Sequence, residues 1–275
     1  MRSRVIGAAG QNVPEVAVKG GRIAYLVDGP ADAPVLLLSN SLGATLDSWA
    51  KQVAPLSRSF RLVRYDTRGH GRSVVSPAPY SLDLLGRDAL AVLDAVGARR
   101  AHVCGLSLGG LTGMWLAVHA PGRVDRLVLA NTAAKIGTAE GWDQRIRDVR
   151  SLGLSPISEG ALPRWFTADF RRREPGAVEV LRSMVAACAP EGYIGCCAVL
   201  READLSASLA NIACPTLVVA GSDDPVTTSA DGEALRTGIA GAHLVSLRAA
   251  HLSNIEQADA FTAAVRDFLS GEVVP

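Results

Sequence analysis

The chain lacks any run of basic residues and carries almost no net charge: 28 Lys and Arg stand against 27 Asp and Glu, a formal +1. Nothing in that balance would hold a phosphate backbone, so a small molecule rather than a nucleic acid is the expected partner. Lysine is scarce, confined to Lys19, Lys51 and Lys135, which excludes no function. Also missing is an uninterrupted apolar stretch long enough to span a bilayer, and the opening MRSRVIGAAGQNVPEV has no apolar core of signal-peptide length. A soluble, cytoplasmic protein without a membrane partner is expected. The five cysteines, Cys104, Cys188, Cys196, Cys197 and Cys214, are odd in number and show no Cys/His spacing of zinc type. That pattern points to reduced structural thiols and to no metal. Internal repeats and low-complexity segments are absent.

What is present is a chain of 275 residues, 48% hydrophobic, enough for one large core or one core with an insertion. Short β-branched or leucine-rich runs recur at 22–29, 34–40, 60–66, 101–107, 126–131, 215–221 and 243–247. Several are apolar on both faces, which suits parallel strands covered on each side. Amphipathic stretches such as 82–97 and 108–120 lie between them, and the alternation argues an α/β fold with a mostly parallel central sheet and helices on both faces. From about 132 to 212 the strand signal stops, and helical patterns follow at 141–153, 160–173, 177–189 and 192–205. Residues 132–212 are therefore expected as an all-helical lid inserted into a core made of 1–131 and 213–275. Ordinary sheet-covering helices would be the plainer alternative.

In HVCGLSLGG, residues 102–110, an apolar run ends in a serine flanked by glycines. Gly-x-Ser-x-Gly arises by chance about 0.2 times in a chain of this length, so it means little without context. Here a strand pattern precedes it and a helix pattern follows, which puts Ser107 at a strand-to-helix turn. Such a turn exposes the hydroxyl and sets a positive helix end beside it. The competing reading is a plain turn.

A serine hydroxyl needs a base, and in this chain order the acid and then the histidine follow it. Three histidines come after Ser107. His119 lies twelve residues along the same helix, about 18 Å of rise away, and His243 opens a strand at its amino end. His251 follows the carboxyl end of that strand, where ligands gather, and is the preferred base. For the acid, PTLVVAGSDDPVTT offers Asp223 and Asp224 after the preceding strand. Asp224 is preferred because Pro225 biases it toward extended geometry; Asp223 remains open as the alternative. An oxyanion would need two backbone donors, expected from Leu108, next to the nucleophile, and from Leu42 in SNSLGATLDSW, with Gly43 allowing a tight turn.

DTRGHGRS (66–73), GLSLGG, GSDDPVT and AAHLSNIEQ together resemble the α/β-hydrolase superfamily. More narrowly, the loop LLLSNSLGATLDSW, with Asn40 and Ser41 in place of the usual His-Gly, is similar to that of 3-oxoadipate enol-lactonases. NTAAKIGTAEGWDQRI, RWFT, EGYIGCCAVLREADL and HLSNIEQADAFTAAVRDFL extend the likeness over nearly the whole chain from about residue 20. Thr228, where such proteins often have proline, and a longer N-terminal arm depart from it. The resemblance implies a serine hydrolase with Ser107, Asp224 and His251 as its triad and Leu42 and Leu108 as oxyanion donors. It implies opening of an anionic lactone without a metal or organic cofactor. The substrate carboxylate would need a cation inside the lid: Arg145, three residues after Trp142 and on much the same helix face, is the first candidate, and Arg164 the second. Both could instead be solvated surface charges. A carboxylesterase or lactonase for another small ester, and a non-hydrolytic receptor, are the alternative functions.

Overall fold

The computed structural model describes residues 13–271; the first twelve residues, which include most of the long N-terminal arm, lie outside them. Eight strands form one sheet: β1 (Glu15–Val18), β2 (Gly21–Asp28), β3 (Val35–Ser39), β4 (Arg61–Tyr65), β5 (Ala101–Leu106), β6 (Val124–Ala130), β7 (Thr216–Gly221) and β8 (His243–Leu247). Their order is β1-β2-β4-β3-β5-β6-β7-β8. β1 pairs antiparallel with β2, and β2 antiparallel with β4; every other pairing is parallel. β3 and β7 are buried at consecutive positions, so side chains pointing to either face meet cover.

That cover comes from helices α1 (Ala50–Leu56), α2 (Leu82–Ala95), α3 (Leu108–His119), α9 (Ser229–Gly238) and α11 (Ala258–Ser270), with the short α10 (Ser253–Glu256) before the last. α2 starts on Ser81, whose hydroxyl accepts from the Leu84 amide, and α9 starts on a Thr228–Asp231 capping box. Thr228, the departure noted in the sequence, thus begins a helix. α3 is apolar almost all round and buried accordingly.

Between β6 and β7 run α4 (Ala139–Leu152), α5 (Leu154–Trp165), α6 (Ala168–Arg173), α7 (Pro175–Ala186) and α8 (Pro190–Glu202), with no strand among them. Sequence pattern alone joins 160–173 into one helical stretch, but the chain breaks there into α5 and α6. Phe166 is extended, and the Thr167 hydroxyl accepts from the Phe170 amide, so one helix ends at Trp165 and a new one begins at Ala168. No single helix among the described residues is long and apolar enough to cross a membrane; α7 and α8 pass that test only as a pair bent by 95°.

The chain leaves β3 toward β4 on one side and returns to place β5 on the other. The loops after β3 and β5 therefore diverge and open a crevice at the carboxyl edge of the sheet, the place where such sheets bind ligands.

Candidate active site

Ser107 sits in that crevice, between β5 and α3. Its backbone has φ 57° and ψ −114°, a region that an L-residue enters only when its surroundings force it. The force is identifiable. Ser107 donates its amide to the Ala130 carbonyl at 3.0 Å, while its own carbonyl accepts from Gly110 N at 2.8 Å and Thr132 Oγ1 at 2.8 Å. The flanking glycines let the backbones close: a Cβ on Gly105 would lie 2.1 Å from the Gly109 carbonyl oxygen, and one on Gly109 2.1 Å from that of Ser39. No side chain fits at either position.

Asp224 and His251 meet on the same edge, after β7 and β8. The His251 Nδ1 lies 2.8 Å from Asp224 Oδ2, and both side chains are almost wholly buried. Oδ2 also accepts from Asn131 Nδ2 at 3.0 Å and Thr227 Oγ1 at 2.7 Å; Oδ1 accepts from the amides of Val226 and Thr227. Burial works against the charge on Asp224. The hydrogen bond and attraction of His251, with the bonds from Asn131 and Thr227, outweigh it, and the carboxyl is held below its ordinary range. Asp223 is exposed and bonds to Ser222 instead, so only Asp224 faces the histidine. His119 stacks on Trp115 at 4.8 Å, and His243 is an exposed residue opening β8.

Ser107 and His251 line one cavity of about 260 Å³, with Leu42 and Ser41 from the loop after β3. Among the described residues the amides of Leu42 and Leu108 donate to no other protein group. The opposite wall comes from the helices between β6 and β7, through Trp142, Arg145, Ala161, Arg164, Trp165 and Tyr193. Arg182 and Arg201, on neighbouring helices, pair with carboxylates; Arg145 and Arg164 pair with none among the described residues. Burial, and then the like charge of Arg145, disfavour the charge on Arg164. The walls are otherwise largely apolar. A small organic anion is the ligand that would relieve both guanidinium groups.

Asn131, Thr227 and Tyr193 were not singled out from sequence. For Asn131 a signal existed: it is a polar residue ending an otherwise apolar strand, at the sheet edge where sites form. It is also the second residue besides glycine with positive φ, 42°, and its side chain bridges Asp224, the Ala250 carbonyl and the Ser253 hydroxyl. All five cysteines are free thiols. No cluster of His, Cys, Asp and Glu among the described residues is arranged to hold a metal.

A nucleophile-elbow turn, an Asp–His pair and a cavity at the carboxyl edge of such a sheet define an α/β hydrolase, and residues 34–152 match the family model described as the alpha/beta hydrolase fold. The chain is 47% identical over 241 residues to 3-oxoadipate enol-lactonase 2 of Acinetobacter baylyi, covering 88% of this chain and 90% of that protein. It is 40% identical to 3-oxoadipate enol-lactonase 1 of the same organism, over 88% of this chain and 91% of that one. The crystal structure of the enol-lactonase from Burkholderia xenovorans LB400 superposes with a TM-score of 0.92 at 45% identity, covering 94% of this chain and all of that one. The chain belongs to the 3-oxoadipate enol-lactonase family of α/β hydrolases and is a hydrolase.

Proposed function

We propose that this hydrolase opens 3-oxoadipate enol-lactone to 3-oxoadipate, with Ser107, His251 and Asp224 as its triad and residues 132–212 as a lid over the site. The observation that carries the reading is one cavity that joins Ser107 and the Asp224-bound His251 to two arginines without counter-ions among the described residues. The lactone carries one carboxylate, which Arg145 and Arg164 hold beside Trp142.

Ser107 Oγ adds to the lactone carbonyl while its proton passes to His251 Nε2. The new oxyanion takes the free amides of Leu42 and Leu108. Collapse breaks the ring C–O bond, and the departing oxygen is an enolate, which the His251 proton and tautomerisation convert to a ketone. Ring opening is thereby made one-way, and Ser107 is left as an ester of 3-oxoadipate. His251 then takes a proton from water, hydroxide adds to that ester, and collapse returns the proton to Ser107. Every step uses water and the side chains and amides of this chain, and none calls for a cofactor. Asp224 holds the His251 tautomer and the imidazolium throughout. Substrate and product are both anions unable to cross a membrane unaided, which fits a cytoplasmic enzyme with free thiols.

The test adds purified protein to the enol-lactone and follows loss of its ultraviolet absorbance, with Ser107→Ala as control. Rapid loss that disappears in the variant is expected. A folded protein that spares the enol-lactone but turns over neutral p-nitrophenyl esters would overturn the substrate and keep the hydrolase.

A further inference from the structure

The sequence stretch DTRGHGRS is absorbed by none of the chemistry above, yet its loop is clasped to the one that carries Leu42. The Leu42 loop contains a turn closed by Ala44 N donating to Ser41 O at 3.1 Å, with Leu42 and Gly43 at its corners. Gly43 has φ 79°, so the turn needs a glycine there. The Leu42–Gly43 peptide at the centre of such a turn is not held by the turn's own hydrogen bond and can flip between turn types. Here it is held from outside: Gly43 N donates to His70 Nε2 at 2.8 Å. The adjoining Leu46 amide donates to Asp66 Oδ1 at 2.8 Å, so two residues of the same motif grip the loop.

An amide can only donate, so His70 Nε2 must be unprotonated. The ring hydrogen then sits on Nδ1 and donates to the Arg68 carbonyl at 3.2 Å. We propose that His70 is a positioning residue for the oxyanion donor, its neutral Nδ1–H tautomer locking the turn that presents the Leu42 amide to the reacting carbonyl. This rests on the reading of Leu42 as a donor.

The surroundings keep the ring neutral. His70 is fully buried, and burial lowers its pKa from 6.5 to about 4 against the opposing pull of the Arg68 carbonyl. Of the ionisable groups packed around it, Arg68 is paired with Asp88 through both carboxylate oxygens. Asp66 spends its oxygens on the amides of Leu46 and Arg72. The thiols of Cys188 and Cys196, from α7–α8, sit on the carbonyls of Gly43 and Arg68, and burial raises the pKa of both. None offers His70 a free carboxylate. The motif loop is itself braced against α8, where Gly69 and Gly192 touch so closely that a Cβ on Gly69 would lie 2.6 Å from the Gly192 Cα.

The experiment compares wild type, Ser107→Ala, His70→Ala and His70→Gln, measuring kcat and KM on the enol-lactone and on p-nitrophenyl acetate, with ¹⁵N-histidine NMR of the wild type. Gln can place an acceptor oxygen near the position of Nε2; Ala cannot. His70→Ala should lower kcat about tenfold to a hundredfold, short of or near the loss of a whole oxyanion donor, with KM within about threefold. His70→Gln should restore most of it, and NMR should show Nδ1–H with a bare Nε2 at neutral pH. Wild-type kcat in His70→Ala overturns the proposal, as does an equal loss in both variants expressed mainly in KM, or an Nε2-protonated ring. If wild type turns over neither substrate, the hydrolytic reading fails on its own, and the NMR tautomer still decides whether the clamp exists. If His70→Ala does not fold, His70→Gln and the NMR result decide.

Discussion

Asp224 is buried yet charged because donors from three side chains and two amides converge on it. Replacing it with Asn keeps the shape and removes the charge that orients His251. Asp224→Asn is expected to lower kcat by roughly 10⁴ with little change in melting temperature, the loss seen when a triad histidine is held in the wrong tautomer. Asn131 contributes one of those donors and two further tethers, so Asn131→Ala should cost kcat about tenfold, the lower end of what a hydrogen bond to a charged group is worth. Steady-state kinetics on the two variants checks the order. The two buried groups respond to acid for opposite reasons. Asp224 titrates lower in the folded chain than in the unfolded one, so its contribution is present above the ordinary carboxylate range and lost as pH falls through the folded value. His70 is held neutral, so the unfolded chain takes up a proton below pH 6.5 that the folded chain refuses until about 4. Between pH 7 and pH 4.5 wild-type stability should fall by roughly 2 kcal/mol more than that of His70→Gln, measured by urea unfolding at the two pH values. Asn131 carried a sequence signal, a polar residue closing an apolar strand, but neither its partner nor the role of His70 was readable, because each acts on a group that only folding brings near. Ser107, Asp224 and His251 were readable because strand ends in chain order put them on one edge.

At the level of elements, the strands were legible wherever their side chains meet cover on both faces, as in β3, β5 and β7. β1 was not. It has four residues, alternates exposed and half-buried, and is fixed by antiparallel pairing with β2 rather than by apolar content of its own. The α5–α6 break was hidden for a related reason: a threonine cap ends the pattern, while the apolar residues on either side continue it. Gly105 and Gly109 imply that neighbouring backbone comes close, but the motif does not say that the backbone against Gly109 is the end of β3. A methyl group on Gly109 would meet the Ser39 carbonyl, backbone against backbone, with no flexible side chain to give way. Gly109→Ala must therefore push the start of α3 off β3 and spread Leu108 from Leu42. The expected cost is about 3 kcal/mol of stability, the upper part of the overpacking range, together with a loss of kcat. Urea denaturation separates the first effect, and activity of the folded fraction the second.

The whole molecule is close to neutral, yet two of its arginines face the cavity without a carboxylate partner among the described residues. In a chain with matched charges, that local surplus is a property of the fold, since the sequence places Arg145 and Arg164 on two different helices, α4 and α5. Burial, and then the like charge of Arg145, disfavour the charge on Arg164, and a bound carboxylate would relieve both. The pair should therefore discriminate between substrates by charge more than by shape. Arg145→Gln is expected to lower kcat/KM for the anionic lactone at least about tenfold, the scale of one charge-assisted hydrogen bond. The same change should leave a neutral ester of similar size within about threefold, because its ester group still reaches Ser107, the amides and His251. Raising the salt concentration should weaken the preference for the anion in wild type and less so in the variant, since screening acts on a charge that the variant has already lost. Equal losses on both substrates would mean that Arg145 shapes the cavity wall, and the carboxylate would then have to be held by Arg164 alone.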